Sequence, residues 1–163
     1  MELIIQKYGG TSVGSTKRIK HVAARIAQFK KQGHQVVVVV SAMSGQTDKL
    51  LSLAKEIQDP PNPRELDVVL STGEQVTIGL LSLALTKLGI AAKSYTGWQI
   101  PLYTDPIYSK ARIQTIEPIR IQQDLGRGLV AVVAGFQGID SDRNITTLGR
   151  GGSDISAVAL AAC

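Results

Sequence analysis

The sequence predicts an α/β fold, a three-layer α/β/α sandwich around a mostly parallel sheet. Three observations predict it. Strand-like and helix-like segments alternate along the chain. The run QVVVVVS at 35–41 is continuously β-branched, which is typical of a strand covered on both faces. Glycines follow the ends of the helical segments, as at Gly33 and Gly126, where a chain leaves a helix.

The first forty residues form a βαβ unit in this prediction. Residues 2–8, ELIIQKY, are a short apolar strand that runs into Gly9 and Gly10. Apolar residues then recur at helical spacing from Ile19 to Phe29 and stop before Gly33, which indicates an amphipathic helix. The β-branched run at 35–41 is the second strand.

The middle of the chain predicts further alternation. A helix over 49–57 ends at the proline cluster of residues 60–63, and a second helical stretch covers 64–70. Residues 73–89 are apolar on nearly every side, which predicts a helix buried deeply against the sheet. The remaining predictions are a strand at 91–97, a mixed segment at 98–116 compatible with a short hairpin, a helix at 117–125, a strand at 129–136 and a polar excursion at 137–146.

The last residues, SDISAVALAAC from Ser153, look like the start of a crossover helix. Such a helix normally leads to another parallel strand. We therefore expect the sequence to be truncated within the fold and to be part of a longer protein.

The amino-acid composition limits the classes of ligand and partner that the protein is expected to bind. The 163 residues are 44% hydrophobic and 19% charged, which fits one globular domain. The net charge is +5, but the basic residues are spread along the chain with few aromatic residues, which favours small anionic ligands over nucleic acid. The lone Cys163 cannot form an intramolecular disulfide. No secretory leader is visible and no apolar run approaches a membrane span, so we expect a cytoplasmic protein without membrane contacts.

The first strand ends in a candidate anion site. Lys7 precedes Gly9 and Gly10, followed by the hydroxyls of Thr11 and Ser12. A cation, free backbone N–H groups and a helix start suit a phosphate. A strand-end lysine followed by an ordinary Gly-Gly turn explains the pattern about equally well. The segment is neither a GxxxxGK[ST] loop nor a GxGxxG turn.

A second candidate site is TTLGRGGSD at 146–154. Its Gly-Gly-Ser turn opens a helix between Arg150 and Asp154, and glycine lets a ligand approach the backbone closely. The plainer alternative is that Ser153 or Asp154 caps the helix while Arg150 is solvated. Two such turns at strand carboxyl ends, where α/β folds place ligands, make coincidence less plausible.

Five motifs together resemble the aspartate kinases, which belong to the amino acid kinase fold. They are KYGGTS at 7–12, SAMSG at 41–45, STGE at 71–74, GFQG at 135–138 and TTLGRGGSD at 146–154. They occur in the family's order and span the whole chain. KYGG alone is also similar to acetylglutamate kinase, whereas KYGGTS with TTLGRGGSD is specific to the aspartate kinases.

The resemblance implies transfer of the γ-phosphoryl group of ATP to the β-carboxylate of L-aspartate, with Mg²⁺ carried mainly by the ATP phosphates. It implies catalytic roles for Lys7 and Asp154. Substrate contacts are implied for Ser41, Thr47, Glu74, Arg150 and Ser153, and phosphate contacts for Lys7, Gly9, Gly10, Thr11, Ser12, Gly151 and Gly152. Without the resemblance, Glu74 reads more simply as a helix-start carboxylate paired with the helix dipole.

In the family, the rest of the nucleotide site and regulatory ACT domains lie beyond the region matched here. Residues 1–163 are therefore expected to be the N-terminal part of the kinase domain, inactive alone, in a full-length protein that is a homo-oligomer, expected to be a dimer. The alternative is a noncatalytic anion-binding or assembly module whose exposed sheet edge recruits a partner.

Overall fold

The computed structural model describes residues 2–163. Helices and strands alternate through most of the chain, as expected for an α/β fold. The elements in chain order are β1 (Leu3–Tyr8), α1 (Thr16–Lys31), β2 (Gln35–Val40), α2 (Gln46–Ile57), α3 (Pro63–Lys87), β3 (Ala92–Tyr95), β4 (Leu102–Thr104), β5 (Ile113–Ile116), α4 (Ile119–Gly126), β6 (Val130–Ala134), β7 (Gln137–Ile139), β8 (Ile145–Thr147) and α5 (Gly152–Ala161).

The main sheet has the strand order β1-β2-β6-β3, and every neighbouring pair is parallel. Successive side chains of a strand point to opposite faces, and the valines of β2 divide accordingly. Val36, Val38 and Val40 pack with α1 and α3, whereas Val37 and Val39 pack with α4 and α5. The three-layer α/β/α arrangement with a mostly parallel sheet is confirmed.

A second sheet, of order β5-β4-β7-β8, lies beside the main one. Its β4 and β5 form the hairpin allowed for residues 98–116. Its β7 and β8 form an antiparallel pair over residues 137–147, whereas the sequence predicted a polar excursion at 137–146. That omission has a physical reason: each of these strands has three residues, too few to show an alternating pattern.

The two helices predicted for 64–70 and 73–89 are one continuous helix, α3, so that prediction is wrong. Asn62 caps its first turn and Pro63 occupies the first helical position. Gly73 does not break the helix, because a glycine costs a helix interior only about 1 kcal/mol. Its missing side chain makes room for Ala42, whose Cβ would lie 2.9 Å from a Cβ at that position. Helix α2 also starts earlier than predicted, at Gln46 rather than 49.

Helix α3 is also less enclosed than the apolar run at 73–89 predicts, because Val76 and Leu83 are exposed. By length and composition alone α3 could cross a membrane, contrary to our reading that no run approaches that length. Here, 44% of its most apolar 18-residue window is buried, and its inner face covers the main sheet.

The carboxyl ends of β1, β2 and β6 lie together at one edge of the main sheet, because the three strands are parallel neighbours in register. The chain leaves them at Gly9, Ser41 and Gly135. The candidate site is built on this edge.

Candidate active site

A cavity of about 300 Å³ opens at this edge of the sheet. Its lining comes from both glycine turns, the segment after β2 and the middle of α3. The predicted site residues that line it are Lys7, Gly10, Ser41, Thr47, Glu74, Arg150, Gly151, Gly152, Ser153 and Asp154.

Lys7 is the last-but-one residue of β1, and its side chain is 27% exposed. Its Nζ lies 2.9 Å from Oδ1 of Asp154 in the first turn of α5. Asp154 is mostly exposed, so the pair stands at the cavity mouth. The two glycine turns, far apart in sequence, are thus joined through one ion pair. Solvent screening makes that pair a small contribution to stability.

The first turn leaves donors free. The Ser12 N–H donates to the Gly9 carbonyl at 3.0 Å. The N–H groups of Gly9 and Gly10 have no acceptor within residues 2–163. Gly10 is required by space, since a Cβ there would lie 3.0 Å from the carbonyl oxygen of Ala42. Two amides beside the ammonium of Lys7 make this turn suitable for a phosphate.

The second turn is held from both sides. Gly151 caps α5 in the left-handed region, at φ 78°. A Cβ on Gly152 would lie 2.8 Å from the ring of Phe136, and one on Gly135 would lie 2.9 Å from Ser153. The Ser41 hydroxyl donates to the Ser153 hydroxyl at 2.9 Å, which links the ends of β2 and α5. The turn is therefore close-packed beneath its exposed tip.

Arg150 forms that tip. It is exposed, and its guanidinium has no hydrogen bond or ion pair with any residue the structure describes. Neither neighbouring glycine has an atom close to where its Cβ would be. The cavity thus has an unpaired cation at one wall, ready for an anionic group of a ligand.

Glu74 lies in the middle of α3 and is only 2% exposed. Oε1 accepts from the Ala42 N–H at 3.2 Å, while Oε2 is buried with no partner among residues 2–163. Burial raises the pKa of this carboxyl to about 7, against the opposing effect of backbone hydrogen bonds. The reading of Glu74 as a helix-start carboxylate is wrong, because the helix begins eleven residues earlier at Pro63.

The segment after β2 forms the floor of the cavity. Ala42 packs against Gly73, and the Ser44 N–H donates to the Gly10 carbonyl at 3.2 Å. Gly45 then adopts φ 80° and caps α2, whose first turn brings Thr47 to the lining. The first turn, this segment and α3 are therefore one packed unit.

Three predicted residues are not brought to the lining: Gly9, Thr11 and Ser12. The turn closed by the Ser12 N–H directs Thr11 and Ser12 to the surface, and the Thr11 carbonyl accepts from Arg18. Thr11 lines a separate depression beyond Ser44. Their contact with a phosphate stays a prediction.

Sequence reasoning missed two groups. Phe136 lines the cavity at φ 71°, an uncommon conformation for a residue with a side chain. Asp67 is fully buried beneath the second turn and holds Thr147. The sequence does contain a sign of Asp67: a carboxylate interrupts the apolar residues of α3 seven positions before Glu74. That spacing places Asp67 and Glu74 on the same face of the helix.

No group of three or more potential metal ligands occurs in the 162 described positions, 2–163. Asp48 and Asp154 are the aspartates that line the cavity, and Asp154 pairs with Lys7.

Comparison with known proteins identifies the family to which the chain is similar. The model of the "Amino acid kinase family" matches residues 2–163. A Pseudomonas aeruginosa protein named "Aspartokinase" is 59% identical over 162 residues, 99% of this chain and 39% of the relative. "Aspartokinase 2" of Bacillus subtilis is 57% identical, covering 99% of this chain and 40% of its own length. The chain thus spans about two fifths of the curated relatives that it matches.

Solved structures agree in fold. The aspartate kinase from Synechocystis is 51% identical and superposes with a TM-score of 0.84, covering 98% of this chain and 26% of that one. Escherichia coli aspartokinase III, solved in complex with aspartate and ADP, has a TM-score of 0.85 at 22% identity, covering 98% of this chain and 46% of its own. At that identity the second likeness is evidence for the fold alone.

Proposed function

The chain belongs to the amino acid kinase family, and we propose that it carries the aspartate-binding part of an aspartate kinase. The reaction is transfer of the γ-phosphoryl group of ATP to the β-carboxylate of L-aspartate, giving ADP and 4-phospho-L-aspartate. This is the entry step to lysine, threonine and methionine. The names of the relatives that are 57–59% identical support this choice among the family's substrates.

One observation carries the proposal: a single cavity combines a buried carboxylate with a spare oxygen, Glu74, and an unpaired guanidinium, Arg150. An amino acid needs an anion for its ammonium and a forked cation for a carboxylate. Glu74 would take the ammonium and Arg150 a carboxylate, the α-carboxylate in our assignment. Hydroxyls of Ser41, Thr47 and Ser153 are available to complete the contacts, although Ser41 already donates to Ser153.

The proposed reaction requires neutralisation of the negative charges of the two substrates rather than a general base. An aspartate side chain ionises near pH 4, so the attacking β-carboxylate is already deprotonated at pH 7. The barrier lies in bringing this carboxylate against a triphosphate. Lys7 and the free amides of Gly9 and Gly10 would stabilise the transferring phosphoryl group. Asp154 would hold the Lys7 ammonium in position through their 2.9 Å contact.

ATP is the proposed co-substrate, with Mg²⁺ bound mainly by its phosphates. Asp154 pairs with Lys7 through one carboxylate oxygen, which leaves the other available to the cation. When bound, Mg²⁺ would neutralise phosphate charge. Gly151 and the start of α5 would offer further N–H donors to the phosphates. The Gly152 N–H already donates to the Gly149 carbonyl at 3.0 Å and would have to exchange that acceptor for a phosphate.

We propose that residues 1–163 form the N-terminal part of the kinase domain of a cytoplasmic homo-oligomer, a dimer. The remaining nucleotide-binding half and the regulatory domains would lie in the part of the relatives that this chain does not match. The chain alone would then be inactive. Hydroxylamine trapping of ATP-dependent aspartyl phosphate with the purified chain tests this, since trapped product would refute the inactivity.

The roles are tested in the full-length protein by comparing Lys7→Ala with Glu74→Ala. Lys7→Ala should lower kcat far more than it weakens aspartate binding, because its contact is with the transferring group. Glu74→Ala should chiefly raise the KM for aspartate. The reverse pattern would exchange the two assignments. Absence of phosphoryl transfer in the wild-type full-length protein, with anion binding retained, would favour the noncatalytic module instead.

A further inference from the structure

Asp67 is a buried carboxylate of helix α3 whose hydrogen bonds tie two distant segments to that helix. It is 0% exposed and accepts four hydrogen bonds from two segments that are distant in sequence. Thr147 donates its N–H at 2.7 Å and its hydroxyl at 2.8 Å. Ser109 donates its N–H at 2.9 Å and its hydroxyl at 3.0 Å. No cation neutralises Asp67 among residues 2–163, so these donors alone compensate its burial.

The bonded segments also hold each other. The Ala111 N–H donates to the Thr147 carbonyl at 3.0 Å, and Ala111 pairs with Leu148 in an isolated bridge. Ser109 itself adopts φ 64°. Asp67 is therefore the point at which helix α3 fastens the end of β8.

The position of this attachment relates it to the candidate active site. Thr147 lies three residues before Arg150, and Asp67 lies seven residues before Glu74, which is about two turns along the same face of α3. One helix therefore carries Glu74 and also fixes the start of the segment that presents Arg150.

Between Thr147 and Arg150, Leu148 is buried and its N–H donates to the Phe136 carbonyl at 2.8 Å, whereas the next three residues are less constrained. Gly149 and Gly151 have no side chains to pack, and Arg150 makes no polar contact within residues 2–163. On its far side the segment is held by the packing of Gly152 against Phe136 and by the Ser41–Ser153 hydrogen bond. On its near side, Thr147 is the residue that attaches the segment to α3.

We propose that Asp67 is a positioning residue that sets the place of Arg150 relative to Glu74, and so the fit of the amino acid substrate. Asp67 is buried and does not line the cavity, so it acts through Thr147. The inference rests on the proposed function for the identity of the substrate. Small misplacements of a binding group are costly in enzymes, so loosening this anchor should weaken aspartate binding.

The sharpest test is a matched pair in the full-length protein. Thr147→Val and Ser109→Ala each remove one hydroxyl donor to the same oxygen of Asp67, and each keeps the backbone donor. Thr147→Val should raise the aspartate KM about threefold to tenfold, with kcat and the ATP KM within about twofold, because Thr147 is the bonded residue that continues directly along the chain to Arg150. Ser109→Ala should change the aspartate KM less than about twofold, and Thr147→Ser should restore the wild-type value.

Asp67→Asn is the stronger variant and should raise the aspartate KM by more than about tenfold. Its control is Asp124→Asn, which disturbs another buried carboxylate, paired with Lys93 on the far side of the main sheet. The control should lower Tm without changing the aspartate KM. A second readout needs no substrate: hydrogen exchange at residues 148–152 should be faster in Thr147→Val than in Ser109→Ala.

Equal effects of Thr147→Val and Ser109→Ala on both KM and exchange would overturn the inference and leave Asp67 a general stabiliser. A rise in the aspartate KM for Asp124→Asn as large as for Asp67→Asn would do the same. If the wild-type protein fails to phosphorylate aspartate, the proposed function fails. The exchange comparison still decides whether Asp67 fixes the Arg150 segment.

Discussion

Helix α3 carries two buried carboxylates about two turns apart, and their surroundings differ in the supply of hydrogen-bond donors. Asp67 receives four, from Thr147 and Ser109. Glu74 receives one from Ala42 and keeps a buried oxygen without a partner. A saturated carboxylate has nothing left to offer a ligand, whereas an unsaturated one has both accepting capacity and a raised pKa. The comparison separates a group that holds the fold from one available for binding.

The largest expected effect is on stability at Asp67. Asp67→Ala should lower the free energy of unfolding by about 3–5 kcal/mol, because two buried donors of Thr147 and two partly buried donors of Ser109 lose their acceptor together. Urea unfolding of the purified chain measures it. Glu65→Ala on the same helix is the control, since its carboxylate is 63% exposed and its loss should cost less than about 0.5 kcal/mol. Equal costs at the two positions would break the comparison.

The next effect concerns Glu74 and pH. Its pKa of about 7 in the fold lies above the ordinary value of 4.5, so the folded chain keeps a proton that the unfolded chain loses between those pH values. Stability from this group is therefore complete below pH 4.5 and declines as pH rises through 7, by on the order of 3 kcal/mol.

Glu74→Gln cannot lose that proton. Relative to wild type, the variant should gain stability between pH 4.5 and pH 8, whatever its offset at low pH. Urea unfolding at four pH values checks the slope. A difference between the two proteins that stays flat with pH would show that Glu74 is ionised throughout.

A smaller effect is expected in aspartate affinity. An ammonium pairs with the ionised form of Glu74, so the Kd for aspartate should rise by up to about tenfold between pH 8 and pH 6. Calorimetry in buffers of different ionisation enthalpy would also detect proton release on binding near pH 7. In Glu74→Gln both the pH dependence and the proton release should disappear, even where weak binding remains.

The smallest effect distinguishes two glycines of α3. A Cβ on Gly79 meets nothing within 4 Å, so Gly79→Ala should stabilise the chain by roughly 0.5–1 kcal/mol through helix propensity. A Cβ on Gly73 would lie 2.9 Å from that of Ala42, which holds Glu74. Gly73→Ala should therefore destabilise the chain and weaken aspartate binding. Similar Tm changes in both variants would contradict this packing.

Much of the main sheet was predictable because its signals are local. The run at 35–41 and the apolar residues from Ile19 to Phe29 have periods that belong to one strand and one helix. The prediction fails where packing or strand pairing, rather than a local pattern, decides the structure. Gly73 interrupts the helical pattern by composition, yet α3 passes through it, and Ala42 fills the space. Strands β7 and β8 are too short for a pattern, and pairing defines them.

Some residues of the candidate site could also be predicted from the sequence, and others could not. The two glycine turns follow strand ends, and a parallel sheet places such ends at one edge. Arg150 and Glu74 were predicted by resemblance to a family, and the structure places both in one cavity. Asp67 was missed because its meaning depends on Thr147, eighty residues away.

The sequence by itself determined the α/β fold class, the two turns rich in glycine and the family resemblance, since each is written in neighbouring residues. Only the tertiary structure decided the state of the charged groups. The 2.9 Å contact of Lys7 with Asp154, the burial of Glu74 and the donors around Asp67 all join segments distant in sequence. Burial and partner supply determine what a carboxylate does, and both arise from packing rather than from neighbours along the chain.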